Sequence, residues 1–224
     1  MTISLAKQIT QLQPSNKPTV FVIALNSINL LKRHKQTFEQ APYKGLPQTP
    51  VIYVLPEATH NQSGATVVLP KAQKQLRIEP HLGVVFNQDT ARISEQQAMQ
   101  HVGSFVPVVL YSLPNDNYYR PDIMGRCQPG FCVLGQSILK NAITEPERIE
   151  INVQVNNTTK KSYRHLDMAF SIAQLISVVS QFISFKAGDI LLTGTDDMPI
   201  IANANDDVTV DFVSLGVINN QISA

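Results

Sequence analysis

Short apolar runs separated by Gly, Pro and Asn set the pattern of this chain. Pro18–Leu25 (PTVFVIAL) predicts a strand, and Asn26 after it breaks strand into helix. Over Ser27–Gln40, apolar residues at 28, 30, 31 and 38 stand among charges and predict a weakly amphipathic helix. Pro42, Gly45, Pro47 and Pro50 mark an extended loop. Strands are predicted over Val51–Leu55, Ala65–Leu69 and Gln75–Val85, the last holding Glu79 and His81. Ser94–His101 reads as a short helix capped by Ser94.

Phe105–Leu113 is strongly β in character, and Pro107 within it points to an edge strand or a bulge. Asn115–Asn117 reads as a turn and Tyr118–Cys132 as loop. Val133–Leu139 and Glu150–Val155 read as strands, with a turn at Asn156–Thr158. Asp167 is placed to cap a helix over Met168–Phe185, closed by Lys186 and Gly188. Strands over Asp189–Thr193, Val208–Phe212 and Val217–Ile222 finish the chain. Many short strands, few helices and no internal repeat predict a mixed β (α+β) fold. The expected organisation is an N-terminal extension over 1–17 and one domain over 18–224.

Composition narrows the function classes. A hydrophobic content of 43% in 224 residues supplies a sizeable core, and a charged content of 16% argues against a disordered chain. A net charge of +1 leaves no electrostatic footprint for nucleic acid or an anionic membrane. Lys32-Arg33-His34-Lys35 and Lys160-Lys161 read as a solvated helix face and a turn. The first 20 residues hold no apolar run of signal-peptide type, and Ser171, Gln174, Ser177, Ser180, Gln181 and Ser184 interrupt the longest apolar stretch. Cys127 and Cys132 are too few for a disulfide framework or a zinc site, so the expectation is reduced thiols in a cytoplasmic protein.

Three strings then carry a resemblance. KAGDILLTGTD (186–196) resembles the pGDiilTGTP signature of the fumarylacetoacetate hydrolase superfamily, with Asp196 where the proline would stand. VIALN, ending at Asn26, resembles that family's vGLNY start, and GRCQPGFCVLG (125–135) resembles its strand entry. Within the superfamily, FEQAPYKGLPQTPVIYVLP (38–56) and YRPDIMGRCQPGFCVLGQ (119–136) are similar to the isomerase/decarboxylases of bacterial 4-hydroxyphenylacetate breakdown, in their N-terminal half. The likeness runs from about Pro18 to the C-terminus. It implies a fumarylacetoacetate hydrolase-like β-roll or sandwich.

The resemblance also implies a chemistry. Enzymes of this superfamily use a divalent cation to hold an oxo acid and to take up the charge of an enolate. They supply it with an E-x-E pair on one strand, where period two puts both carboxylates on one face, and an Asp from a later strand. Here the pair reads Glu79-Pro80-His81, and the later Asp aligns with Leu110. Glu79 and His81 are therefore either an ordinary strand-end pair or a degenerate metal site for Mg or Mn, with an imidazole that suits a transition metal better than magnesium. A histidine that follows the family's N-Y motif is replaced by Leu30, and His34, one turn later, is expected to face solvent. His60, His101 and His165 have no partner nameable from sequence.

Arg120, Arg126 and Thr195 are the substrate-binding candidates. Arg126 stands where the family carries a lysine, and its planar guanidinium suits a carboxylate. Arg120 offers a second carboxylate anchor, and Thr195 a hydroxyl and a backbone N–H, with Asp196 adding negative charge close by. The expected function is isomerisation or decarboxylation (or C–C hydrolysis) of a 2-oxo or 2-hydroxy-dienoate dicarboxylate. The altered ligands leave open a catalytically impaired pseudo-subunit or a small-ligand binding protein on the same fold. The partners implied are a small oxo acid, a second copy in a homodimer, and a paralogous subunit that keeps the metal ligands.

Overall fold

The computed structural model describes residues 17–115, 117–118, 122–165, 167–196 and 199–224. The chain runs through β1 (Val20–Ala24), α1 (Ile28–Arg33), α2 (Lys35–Phe38), β2 (Val51–Leu55), β3 (His60–Gln62) and β4 (Thr66–Val68). It continues through β5 (Gln75–Phe86), α3 (Glu95–Ala98), β6 (Val102–Ser112), α4 (Ile123–Arg126), β7 (Cys132–Leu134) and β8 (Ile138–Leu139). Then follow β9 (Glu150–Val155), β10 (Thr158–Arg164), α5 (Ile172–Val179), β11 (Ile190–Leu192), β12 (Ile200–Asn203), β13 (Asp207–Phe212) and β14 (Gly216–Ser223).

These strands form two sheets. The larger has nine strands in the order β2-β1-β11-β5-β6-β7-β3, with β12 on β5 and β8 on β6. The smaller has the order β10-β9-β13-β14-β4. Strand alternation decides which residues lie between them. On β5, Leu76, Ile78, Leu82, Val84 and Phe86 join the main core together with Ile151, Val153, Val208, Val210 and Phe212 of the small sheet. Arg77, Glu79 and His81 occupy the other face of β5 and line a cavity there. A second apolar cluster of Val20, Val22, Leu55, Val106, Val108, Leu110 and Leu192 lies on that outer face. Isolating three polar side chains beside this apolar patch prepares the site.

The structure corrects several sequence expectations, each for a tertiary reason. Pro107 is not at an edge: it pairs with Leu82 inside the large sheet. Its carbonyl accepts from Gly135 N at 2.9 Å, so its backbone faces the gap between β7 and β8, where the missing N–H costs no ladder bond. The helix expected over 168–185 is only α5, because Ala169 N and Phe170 N bond to Asn26 at 2.7 and 2.9 Å and hold that segment off the helix axis. Ser171, not Asp167, is the N-cap, in a capping box with Gln174. The helix over 27–40 is broken at His34 into α1 and α2. Polar β10, with only half-buried or exposed side chains, escaped the hydrophobic pattern, as did short β3 and β12. No helix among the described residues is long and apolar enough to cross a membrane.

Candidate functional site

The cavity on the outer face of the large sheet has a volume of about 380 Å³, within the roughly 300–1,000 Å³ usual for small-ligand sites. Its wall is built where β5, the ends of β1 and β2, α1, α4 and the turn after β11 meet. Arg126 reaches it from α4, whose start is tied by Asp122 Oδ1 accepting from Gly125 N at 2.9 Å. Gly125 is needed there, since a Cβ would collide with the Asp122 carboxylate. Its carbonyl also accepts from Leu113 N at 3.0 Å, which anchors the short helix to the end of β6.

At the floor, Arg126 and Glu79 form a two-pronged ion pair. Arg126 Nη1 donates to Glu79 Oε2 and Nη2 donates to Oε1 at 3.0 Å. Ser112 Oγ donates to the same Oε1 at 2.9 Å, and Arg126 Nη1 donates to Tyr53 Oη at 3.3 Å. The Glu79 and Arg126 side chains are 13% and 27% exposed, so the pair sits in low dielectric where its attraction is weakly screened. Burial alone pushes the Glu79 carboxyl up, but the Arg126 charge and hydrogen bonds, with smaller help from His81 and Ser112, hold it below the usual carboxylate range. Burial works against the Arg126 charge as well, and the Glu79 and Tyr53 oxygens outweigh it, so the guanidinium stays charged.

His81 lies two residues along the same strand face and is 2% exposed. Neither of its ring nitrogens has a hydrogen-bond partner among the described residues. Burial, with Arg126 and His165 adding to it against Glu79, lowers it to about 3, so the ring is neutral. A neutral imidazole carries one N–H donor and one acceptor. Orphaned polar atoms at such depth are rare, which makes His81 the strongest single pointer to a ligand.

The turn after β11 closes the cavity. Asn26 Nδ2 donates to Thr193 O at 2.7 Å and to Phe170 O at 3.1 Å, while its Oδ1 accepts from Phe170 N at 2.9 Å. Gly194, at φ +119°, lets this Asn approach, since a Cβ would lie 2.9 Å from Asn26 Cβ. Thr193 Oγ1 lies 2.8 Å from His165 Nε2, and His165 is lowered by burial to about 4. Thr195 and Asp196 then reach the cavity wall. Asp196 is ion-paired with Lys161, so its charge is matched, and Lys161 is a largely buried strand residue rather than part of a solvated turn.

The structure thus brings Glu79, His81, Arg126 and Thr195 to one cavity. Arg120 lies outside the described residues. Leu110 is the cross-strand partner of Glu79 and is 3% exposed, and Leu30 lines the cavity. His34 does not point away into solvent: it is half-buried, lines the cavity and packs on the Tyr118 ring at 5.2 Å. Sequence reasoning did not single out Tyr53 or Ser112. Strand alternation offered a signal, for Tyr53 shares a face with Leu55, and Ser112 lies two residues from Leu110, but neither type marks chemistry by itself.

A hard divalent cation needs about six oxygen ligands, several of them from protein carboxylates. The residues present do not fit that need. Both Glu79 oxygens are taken by Arg126 and Ser112, its neighbour across the strand is Leu110, and His81 adds one nitrogen. A guanidinium beside the carboxylate also repels a second cation. Among the described residues no group of three or more His, Cys, Asp or Glu side chains is arranged to hold a metal ion.

Comparison with known proteins adds relatives to this geometry. Residues 19–223 match the family described as fumarylacetoacetate (FAA) hydrolase C-terminal. The chain is 27% identical over 194 residues to a 4-hydroxyphenylacetate degradation bifunctional isomerase/decarboxylase of Escherichia coli, covering 87% of this chain and 44% of that protein. It is 27% identical over 227 residues to a mitochondrial oxaloacetate tautomerase of Homo sapiens, covering 96% and 70%. The chain therefore spans about half the length of the bifunctional relatives that it matches. In fold it is similar to a fumarylpyruvate hydrolase from Pseudomonas aeruginosa solved with Mn²⁺ and pyruvate, with a TM-score of 0.78, 16% identity and coverage of 92% and 90%.

Proposed function

Since the chain belongs to the fumarylacetoacetate hydrolase family, a family of isomerases, decarboxylases, hydrolases and tautomerases, we propose that it isomerises or decarboxylates a 2-oxo or 2-hydroxy-dienoate dicarboxylate in the cavity beside Arg126 and His81. The observation that carries this reading is the neutral His81, without a hydrogen-bond partner among the described residues, standing next to a buried arginine in a cavity of small-molecule size. A dienoate dicarboxylate offers what this wall lacks: carboxylates for Arg126 and Thr195, and an oxygen that exchanges a proton.

Isomerisation needs one proton to leave the 2-hydroxyl oxygen and one to arrive at a carbon of the conjugated system, with the double bonds shifting between them. His81 accepts the first through its free nitrogen and returns it through the other or the same one. Its low basicity rises when an anionic substrate lies beside it. Decarboxylation follows the same flow: the carbon–carboxylate bond breaks, CO₂ leaves, the bond's electron pair moves toward the 2-oxo oxygen, and the carbon takes a proton drawn from water and relayed by His81, which gains one at its free nitrogen as it gives one up. The apolar walls, Val22, Ile52 and Ile78 among them, exclude water from the intermediate. The names of the bacterial relatives place such chemistry in 4-hydroxyphenylacetate breakdown, and we extend that setting to this chain as part of the proposal.

One observation favours a second reading. Leu110 faces Glu79, and Leu30 lines the cavity, at places where the family resemblance implies an Asp and a His, so a non-catalytic subunit paired with a ligand-bearing paralogue is the alternative. Purified chain assayed with a 2-hydroxy-diene dicarboxylate and with oxaloacetate, with and without Mg²⁺ or Mn²⁺, separates the two. Turnover by the isolated chain supports the enzyme reading. Silence under every condition, with activity restored on mixing with the paralogue, supports the alternative and ends the first.

A further inference from the structure

We propose that Arg126, held by Glu79, occupies the role of the divalent cation in this cavity, so that the chain binds the carboxylate of a 2-oxo acid on the free edge of a guanidinium and needs no metal to do so. This rests on the functional reading above and deepens it. The argument begins with the hydrogen atoms of the guanidinium, which has five N–H groups in a rigid plane. Nη1 and Nη2 spend one each on the two Glu79 oxygens, and the second Nη1–H goes to Tyr53 Oη. What remains without a partner among the described residues is the outer Nη2–H and the Nε–H. By the covalent geometry of arginine these two are parallel and lie on one edge, spaced for the two oxygens of one carboxylate.

Glu79 therefore does for Arg126 what a ligand set does for a metal ion. It fixes the position of a positive charge, orients its open side and partly offsets the cost of burying it. Ser112 and Tyr53 complete that shell. The arrangement also accounts for Leu110: with Arg126 already balanced by Glu79, a second carboxylate opposite would leave a buried negative charge in excess, and an apolar side chain is the neutral solution. His81, on the Glu79 face of β5, supplies what the guanidinium cannot, an N–H toward a 2-oxo oxygen and a lone pair toward an enol. A cation polarises carboxylate and oxo oxygen together; here the two tasks fall to two side chains.

The test uses pyruvate as the probe, with calorimetric titration and saturation-transfer NMR, and Mn²⁺ binding read separately by the EPR signal of the free ion. The expected result is pyruvate binding of equal strength in chelator and in Mn²⁺, with no stoichiometric uptake of Mn²⁺. Arg126→Met should weaken pyruvate at least about tenfold, the loss of a charge-assisted carboxylate clamp. Arg126→Lys, which keeps the charge and its pairing with Glu79 but lacks the fork, should weaken pyruvate while holding the native circular dichroism, which guards against a folding artefact. Stoichiometric Mn²⁺ binding on which pyruvate depends would overturn the proposal and leave the oxo-acid pocket intact. Metal-free binding untouched by either Arg126 substitution would overturn it too. Failure to bind pyruvate with or without metal would remove both this proposal and the functional reading beneath it.

Discussion

Replacing Arg126 by methionine removes a charge but keeps most of the volume, and it leaves the Glu79 carboxylate buried with Ser112 as its remaining hydrogen-bond donor. Breaking a buried ion pair by removing one partner typically costs about 3–5 kcal/mol, because the other charge is left without compensation. Arg126 is 27% exposed and Glu79 13%, so water relieves part of that, and we expect a loss of about 3 kcal/mol at pH 7. The dependence on pH has a defined sign. In the natural protein the Glu79 pKa is depressed, so the pair's stability is present above the unfolded carboxyl value of about 4.3 and is lost as pH falls through the folded value. In Arg126→Met, burial dominates and the Glu79 pKa rises above the unfolded one, so the variant gains a proton and recovers stability on acidification. The difference between the two proteins in urea denaturation should therefore shrink from pH 7 to pH 5. Glu79→Gln added to Arg126→Met should restore much of the loss, because it removes the stranded charge. A loss below about 1 kcal/mol, constant with pH, would refute the buried-pair account.

Three further outcomes follow from other parts of the molecule. His81 and His165 are neutral when folded, lowered mainly by burial to about 3 and about 4, whereas the unfolded chain protonates near pH 6.5; stability is thus held above that pH and lost below it, at about 1.4 kcal/mol per unit for each ring. Urea midpoints between pH 7 and 5 should show this slope, His165→Asn should roughly halve it, and a flat profile would contradict it. Gly194→Ala should lower stability by roughly 2 kcal/mol, because a side chain at φ +119° is strained and meets Asn26; an unchanged melting temperature would reject the role given to this turn. The buried Cys132 thiol is pushed up to about 12, whereas Cys127 is part-exposed and its thiol is raised by burial against the opposing Arg126 charge, so native protein at pH 8 should give one slow thiol and release the other only in urea; two fast thiols would show that Cys132 is open.

How far the sequence reached varied with the physics of each element. Glu150–Val155 was legible to the residue because a half-buried strand writes its alternation into the chain, and Val51–Leu55 because a short β-rich apolar run stands between Pro50 and Pro56. Met168–Phe185 overshot, because the bonds that Asn26 makes to residues 169 and 170 are tertiary and leave no local mark. The site was legible as a set of residues and not as a set of pairings. Glu79 and His81 follow from period two on β5, but the Arg126–Glu79 pair spans 47 residues, and whether Glu79 meets a cation or a guanidinium depends on how α4 docks on the end of β6. The absence of a partner for His81 among the described residues is a property of packing and could not be read from residue order.

The most direct test of the central claim is a crystal structure of the chain soaked with pyruvate in chelator. The account predicts its carboxylate about 2.7–2.9 Å from Arg126 Nε and Nη2, the charge-assisted range, and its 2-oxo oxygen within hydrogen-bond reach of His81. Pyruvate bound away from Arg126, or absent in chelator and present only with a metal ion seated on Glu79, would contradict it.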